Sequence, residues 1–363
     1  MCNQLNRLAD YRYQQSRLKA YQSSRKDAGF TLIELMISIV LGLLLVAAAS
    51  QLFVGGVINS RLQQAGADMQ DGGLFGLDSM SRDIRLANFG NITNRFLTDV
   101  TPWGGIVLTA DTAASTASNL PVYRTSNSAG AYISSALLSN SDGDVASSTL
   151  NQWTGLSNVT TSTGGALKSD QLTIQFAAPA DMVNCEGVPV TAGSSVIERY
   201  FIRLDTITVG NTGSNVQNLV LACNAASVTP PAASPALANL QIVTGLGNPG
   251  QVIMNRVDQI HFLLGTQAVN GNFVYYTINQ YKAAAVAARN AGGIAPRILS
   301  VKVAALVRSL DNTNSSLIDP AKIYTLFDQS VKPIAETNQN TNRYVRQAYL
   351  TTIALRNGMG AAS

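Results

Sequence analysis

Few residues of this 363-residue chain have the types and spacings that could do chemistry. The only histidine, His261, lies in the strand-like run Gln259-Ile260-His261-Phe262-Leu263, where a structural or surface role outweighs a catalytic one. Asn140, Asp142 and Asp144 copy the first half of a calcium-binding helix-loop-helix motif, but no glycine follows Asp144 and Asn151 stands where that motif needs a glutamate. Asp142 and Asp144 are therefore weak calcium candidates, and a polar turn is the better reading. No nucleophile elbow, phosphate-binding loop, dinucleotide fingerprint or zinc spacing is present in the sequence. The reading is a protein that is not an enzyme and takes no cofactor or metal. An enzyme whose carboxylates meet only in space is the weakest alternative.

The acid that stands out is Glu34, the only charge between Phe30 and Phe53. A helix over that run is about 36 Å long, enough to cross a bilayer core of about 30 Å. An ordinary secretory signal has a shorter apolar core with its small-residue cleavage site behind it, whereas here the small residue, Gly29, stands in front. Cleavage there leaves the helix on the mature protein. A carboxylate in a membrane span costs roughly 2.5 to 3.5 kcal/mol on insertion scales, so it is expected to have a partner; the bland alternative is an interfacial acid that snorkels to water.

The string Gly29-Phe30-Thr31-Leu32-Ile33-Glu34-Leu35 resembles the class III leader junction of type IV prepilins and type II secretion pseudopilins. The resemblance implies cleavage between Gly29 and Phe30 by a prepilin peptidase and methylation of the new Phe30 amine. It also implies that Glu34 meets the N-terminal amine of a neighbouring subunit. The segment from Gln70 to Phe89 is similar to the stretch just beyond the membrane helix in PilW-type minor pilins, and Tyr349 to Asn357 is similar to the end of that family. Two family features are missing: a cysteine just after the first helix, where Phe89-Gly90-Asn91 stands, and the helix-kinking proline of major pilins, where Gln51 stands.

Charge agrees with an exported protein. Lys+Arg number 25 against Asp+Glu 21. Residues 1 to 29 hold Arg7, Arg12, Arg17, Lys19, Arg25 and Lys26 against Asp10 and Asp27, which accounts for the whole excess. A basic flank stays cytoplasmic, so the helix enters N-in and the remainder lies outside the inner membrane. That remainder is neutral and has no electrostatic footprint for nucleic acid. Cys2 leaves with the leader, while Cys185 and Cys223 both fall in the exported part, where an oxidising compartment favours a disulfide. Two free buried thiols are the alternative.

Along the chain, residues 1–29 form a cleaved cytoplasmic leader and 30–54 a transmembrane or filament-core helix, with Gly55-Gly56 predicting a flexible joint. Leu62, Ala65, Met69, Gly73, Leu77, Met80, Ile84 and Ala87 step by three or four, so an amphipathic half-helix is expected over 55–88. Its polar face carries Arg61, Asp68, Asp71, Asp78, Arg82, Asp83 and Arg85, with Asp78 and Arg82 spaced to pair. Residues 89–363 read as an extracytoplasmic β-rich domain, with an exposed Ser/Thr-rich insertion at about 108–166. Strand signals lie at 171–177, 197–207, 218–223, 257–264, 273–279, 298–307 and 344–355, with a short helix over 283–290. The fold class is α+β and type IV pilin-like, the outer half of the first helix packing its stripe on an antiparallel sheet.

By resemblance the function is that of a structural minor pilin in the initiation or assembly of a type IV pilus, with twitching motility, adhesion and DNA uptake downstream. Implied partners are the prepilin peptidase, other minor pilins, the major pilin, the pilus assembly platform, a PilY-type tip adhesin and the inner membrane. The alternatives are a J-type pseudopilin of type II secretion and, in another class, a pilus-tip binding module such as an adhesin or DNA receptor.

Overall fold

The computed structural model describes residues 29–91, 95–111, 117–121, 123–126, 131–149, 151–205, 216–229, 241–310, 317–335 and 343–358. The leader thus lies outside the described residues except for Gly29. The chain divides into two compact units, residues 1–57 and 58–363. Helix α1 is Leu32–Leu86, and it is helical through Gly55-Gly56, where the sequence predicts a joint. Glycine lowers helix stability by about 1 kcal/mol without breaking hydrogen bonds, and two glycines do not stop a helix of this length.

The described strands are β1 (Tyr123–Arg124), β2 (Val159–Thr161), β3 (Leu172–Ala177), β4 (Met182–Val183), β5 (Pro189–Val190), β6 (Ser195–Leu204), β7 (Leu219–Thr229) and β8 (Gln241–Thr244). After them come β9 (Gln251–Asn255), β10 (Val257–Gln267), β11 (Phe273–Thr277), β12 (Arg297–Arg308), β13 (Tyr324–Leu326), β14 (Gln329–Pro333) and β15 (Arg346–Ala354). A six-stranded sheet has the order β1-β8-β7-β6-β3, with β9 also on β7. A four-stranded sheet has the order β11-β10-β12-β15, and smaller sheets are β13-β14-β2 and β4-β5. The β1–β8 pair is parallel; the other strand pairs are antiparallel. Helix α2 (Ile278–Asn290) begins five residues ahead of its predicted start. Thr277 and Gln280 form a reciprocal capping box that ends β11 and starts the helix.

Within the second unit the α1 stripe packs as its spacing predicts. Met69, Leu77, Met80, Ile84 and Ala87 join Leu172, Ile174, Met254, Ile260, Phe262 and Val303 in one core. Two glycines let the helix approach closely. A Cβ on Gly73 would lie 2.5 Å from the Tyr349 ring, and one on Gly76 would lie 3.0 Å from the Ile253 carbonyl and 2.7 Å from the Met254 side chain. Gly76 falls between stripe positions and is not visible in the apolar pattern.

Asn88, at φ 66°, turns the chain out of α1. Its own N–H donates to the Gln175 carbonyl at 3.1 Å, which carries the chain onto the edge strand β3. The Asn357 side-chain amide donates to the Arg85 and Ala87 carbonyls, supplying partners that a helix end lacks.

The segment at about 108–166 contains long loops and short elements, but the expectation of an exposed insertion is corrected. Leu108, Leu120, Tyr123, Ile133, Leu137, Leu138, Trp153 and Val159 are all buried. Several of them form a second core against Ile197, Ala226 and Val243 on the outer face of the six-stranded sheet. Asn119, Asn140 and Asn158 are buried with them and bond backbone groups of the loops. Part of the polar content of the segment therefore serves buried loop backbone, while residues such as Asp142 and Thr163 are exposed.

Candidate assembly site

The amino end of α1 is built by Thr31 and Glu34. The Thr31 hydroxyl accepts the Glu34 N–H at 3.3 Å, and Glu34 Oε2 accepts the Thr31 N–H at 3.3 Å, which together make a capping box. The pattern Thr-x-x-Glu was present in the sequence as a helix-start signal beside the apolar run. Ser38 donates its hydroxyl to the Glu34 carbonyl at 2.7 Å. Glu34 is exposed, so its second carboxylate oxygen is open to a cation from outside the chain. Gly29 and Phe30 are exposed ahead of it. From Phe30 to Val57 every residue is exposed, including Leu35, Ile39, Leu43, Leu52 and Phe53. This stretch is long and apolar enough to cross a membrane by length and composition.

The remaining candidate residues lie in the folded unit. His261 is buried on β10, with Nδ1 2.8 Å from Asp170 Oδ2 and Nε2 2.9 Å from Asp328 Oδ1. Burial alone would lower the imidazole, but the two carboxylates override it and raise His261 to about 9. Asp170 also accepts the Phe262 N–H at 2.7 Å, so the group stitches the start of β3 and the β13–β14 turn onto β10. Both ring nitrogens are engaged by carboxylates.

Asp144, one of the two weak calcium candidates, is engaged by side chains of α2. Lys282 of α2 places its ammonium 3.1 Å from Asp144 Oδ2 and 2.9 Å from Asn140 Oδ1, and Asn279 donates to Asp144 Oδ1 at 3.1 Å. The cation at this loop is a lysine, while Asp142 is exposed.

Cys185 and Cys223 are disulfide-bonded, with Cα atoms 6.0 Å apart. The bond ties the β4–β5 turn to β7. Their sulfurs and a Glu198 carboxylate oxygen lie within 4.8 Å of one another, but sulfurs joined to each other cannot serve as thiolate ligands.

Asp78 and Arg82 pair as their spacing predicts. Asp83 is corrected: it is half-buried and not on the solvated face, because the Tyr200 hydroxyl donates to it at 2.7 Å. Sequence reasoning also misses a buried cluster in which Arg308 Nε and Arg346 Nε donate to the two oxygens of Asp258 at 3.0 and 2.7 Å. This joins the four-stranded sheet across β10, β12 and β15. No spacing announces such pairs, since 50 and 88 residues separate the partners.

A prokaryotic N-terminal methylation motif matches residues 24–50. The family described as type IV pilus-assembly protein W matches residues 222–357, from β7 to the Asn357 cap. Among solved structures, the type IV-like pilin TTHA1219 from Thermus thermophilus is similar at 12% identity and a TM-score of 0.25. That match covers 52% of this chain and 79% of that one. A likeness of that size carries no argument. No curated protein matches the chain. A methylation motif thus lies over the apolar helix and a PilW domain over the C-terminal sheet, the two features expected of a PilW-type minor pilin.

Proposed function

We propose that this protein is a PilW-type minor pilin, a structural subunit that takes part in the initiation or assembly of a type IV pilus. The observation that carries the reading is the junction Gly29-Phe30 followed by an exposed, apolar half-helix. A segment of that composition needs a bilayer before assembly and neighbouring helices after it. On this reading the peptidase cuts after Gly29, the Phe30 amine is methylated, residues 30–54 hold the inner membrane, and the folded domain stands on the periplasmic side. Partners are other minor pilins, the major pilin, the assembly platform and a PilY-type tip protein.

Glu34 is the pairing acid. A carboxylate among apolar residues is tolerable when it meets a cation, and the free amine of a neighbouring subunit is one. The first subunit in a filament has no earlier neighbour to meet, so an acid at this position supports a place beneath the outermost subunit.

The test is piliation and twitching of a deletion strain complemented with Glu34→Leu, with protein secretion assayed alongside. The variant is expected to insert in the membrane but to support assembly poorly, with secretion unaffected by the deletion. Full piliation with Glu34→Leu would remove the pairing role. A deletion that blocks secretion and spares the pilus would move the protein to the pseudopilins of type II secretion.

A further inference from the structure

Asp83 of α1 and Glu198 of β6 both meet the hydroxyl of Tyr200, Asp83 Oδ2 at 2.7 Å and Glu198 Oε2 at 3.2 Å. A phenol has one hydrogen to give, and the shorter contact shows that Asp83 receives it. The other oxygen of Glu198 accepts the Cys185 N–H at 2.9 Å. If both carboxylates were ionised, Glu198 Oε2 would face the lone pairs of Tyr200 Oη with no hydrogen between them.

Nor do the surrounding charges relieve the pair. From α1 comes Arg82, largely exposed and already paired with Asp78. From the β4–β5 turn comes Glu186, a further acid. From β6 and β7 come Tyr200 and the disulfide sulfur of Cys223, which are neutral. The arrangement closes with one additional proton. Glu198 is fully buried, whereas Asp83 keeps partial exposure and the field of Arg82, so the proton belongs on Glu198.

We propose that Glu198 is a buried proton-binding site whose carboxyl stays protonated at neutral pH and donates to Tyr200, which donates to Asp83, latching the end of α1 to β6. The direction of titration agrees with the geometry: burial first, then the Asp83 charge, push the Glu198 carboxyl up to about 8. Because this lies above the ordinary value of 4.5, the latch is fully in place below that value. Its contribution falls as pH rises toward 8, beyond which the proton is gone.

The chain has only four glutamates, Glu34, Glu186, Glu198 and Glu336, so carbon-13 labelling of glutamate gives a readable carboxyl spectrum of the full chain in detergent. Infrared spectroscopy at neutral pH is expected to show one protonated carboxylic acid that is lost in Glu198→Gln and lost from the wild type at alkaline pH. A spectrum with every glutamate ionised at neutral pH would overturn the proposal, as would a protonated acid that survives Glu198→Gln.

Melting curves test the latch itself. The amide of Glu198→Gln can donate to Tyr200 and accept from Cys185, as the protonated acid does. This variant is expected to melt no lower than wild type at about pH 9 and to lose less stability between about pH 6 and about pH 9. His261 titrates in both proteins, so the difference between the two slopes is the readout. Equal slopes count against the latch. So does a wild-type melting point that calcium or zinc raises and a chelator lowers, because a cation would then occupy the place assigned to the proton. If Glu198→Gln does not fold, the wild-type spectrum decides, with Asp83→Asn expected to bring the loss of the acid signal to lower pH.

Discussion

Asn88 and Asn357 hold each other across 269 residues of chain: the Asn88 side-chain amide donates to the Asn357 carbonyl at 3.0 Å, while the Asn357 amide donates to the carbonyls of Arg85, in the last turn of α1, and of Ala87 just beyond it. The exit of the helix is thereby tied to the last described turn of the chain. The carbonyls of a helix terminus need partners, and here they come from the final turn of the described chain.

Asn357→Ala is accordingly expected to lower stability by about 1–2 kcal/mol, measured by denaturant unfolding of the full chain in detergent. Asn88→Gly should cost less than Asn88→Ala, because only the alanine is strained at a φ of 66°. Equal stability of wild type and Asn357→Ala would mean that water replaces the cap without loss.

The glycines of α1 should divide by environment. Gly76→Ala meets the Ile253 carbonyl and Gly73→Ala meets the end of the Tyr349 side chain, so Gly76→Ala is the more damaging. Gly72 faces open space within the described chain, and Gly72→Ala should stabilise the isolated protein by up to about 1 kcal/mol. Melting temperatures of the three variants check the order.

Cys223→Ser should destabilise the domain by roughly 3–4 kcal/mol on the chain-entropy estimate for a loop of this size. The bridge closes a sequence separation of 38, and reduction of the wild type should lower melting to a similar extent. Quantitative alkylation of both cysteines in native protein without reductant would show that the bridge is absent.

Because His261 is the only histidine, its imidazole gives a single set of resonances. Nuclear magnetic resonance should find it protonated at neutral pH and titrating near 9. A histidine raised above its ordinary value of 6.5 stabilises fully below that value, and the contribution is lost as pH rises through about 9. Asp170→Asn should lower the titration more than Asp328→Asn, since Asp170 is buried and Asp328 is 48% exposed.

Local patterns made most of the fold legible. The stripe from Met69 to Ala87 predicts both the helix and its buried face, since period and packing depend on the same spacing. The strand signals at 257–264 and 298–307 fall on β10 and β12, whose β-branched and aromatic residues occupy the centre of a sheet. Three things were hidden. Asp83 and Tyr200 are 117 residues apart, and nothing local tells a buried aspartate from a solvated one on the same helix face. Lys282 closes onto Asn140 and Asp144 from another element, so the loop looked like half of a cation site while its cation came from elsewhere in the chain. The Ser/Thr-rich stretch around Leu120 and Leu137 looked exposed because its polar side chains serve buried loop backbone. The capping boxes Thr31-x-x-Glu34 and Thr277-x-x-Gln280 were legible signals; the second would have placed the start of α2 correctly.

The central claim, that this chain is a processed pilin subunit, is tested most directly by the amino terminus of the mature protein. Intact mass and N-terminal sequencing of membrane-extracted protein should find Phe30 as the first residue, carrying one methyl group, and should find the leader retained when the prepilin peptidase is absent. A mature terminus anywhere else, or a leader removed without that peptidase, would contradict the account.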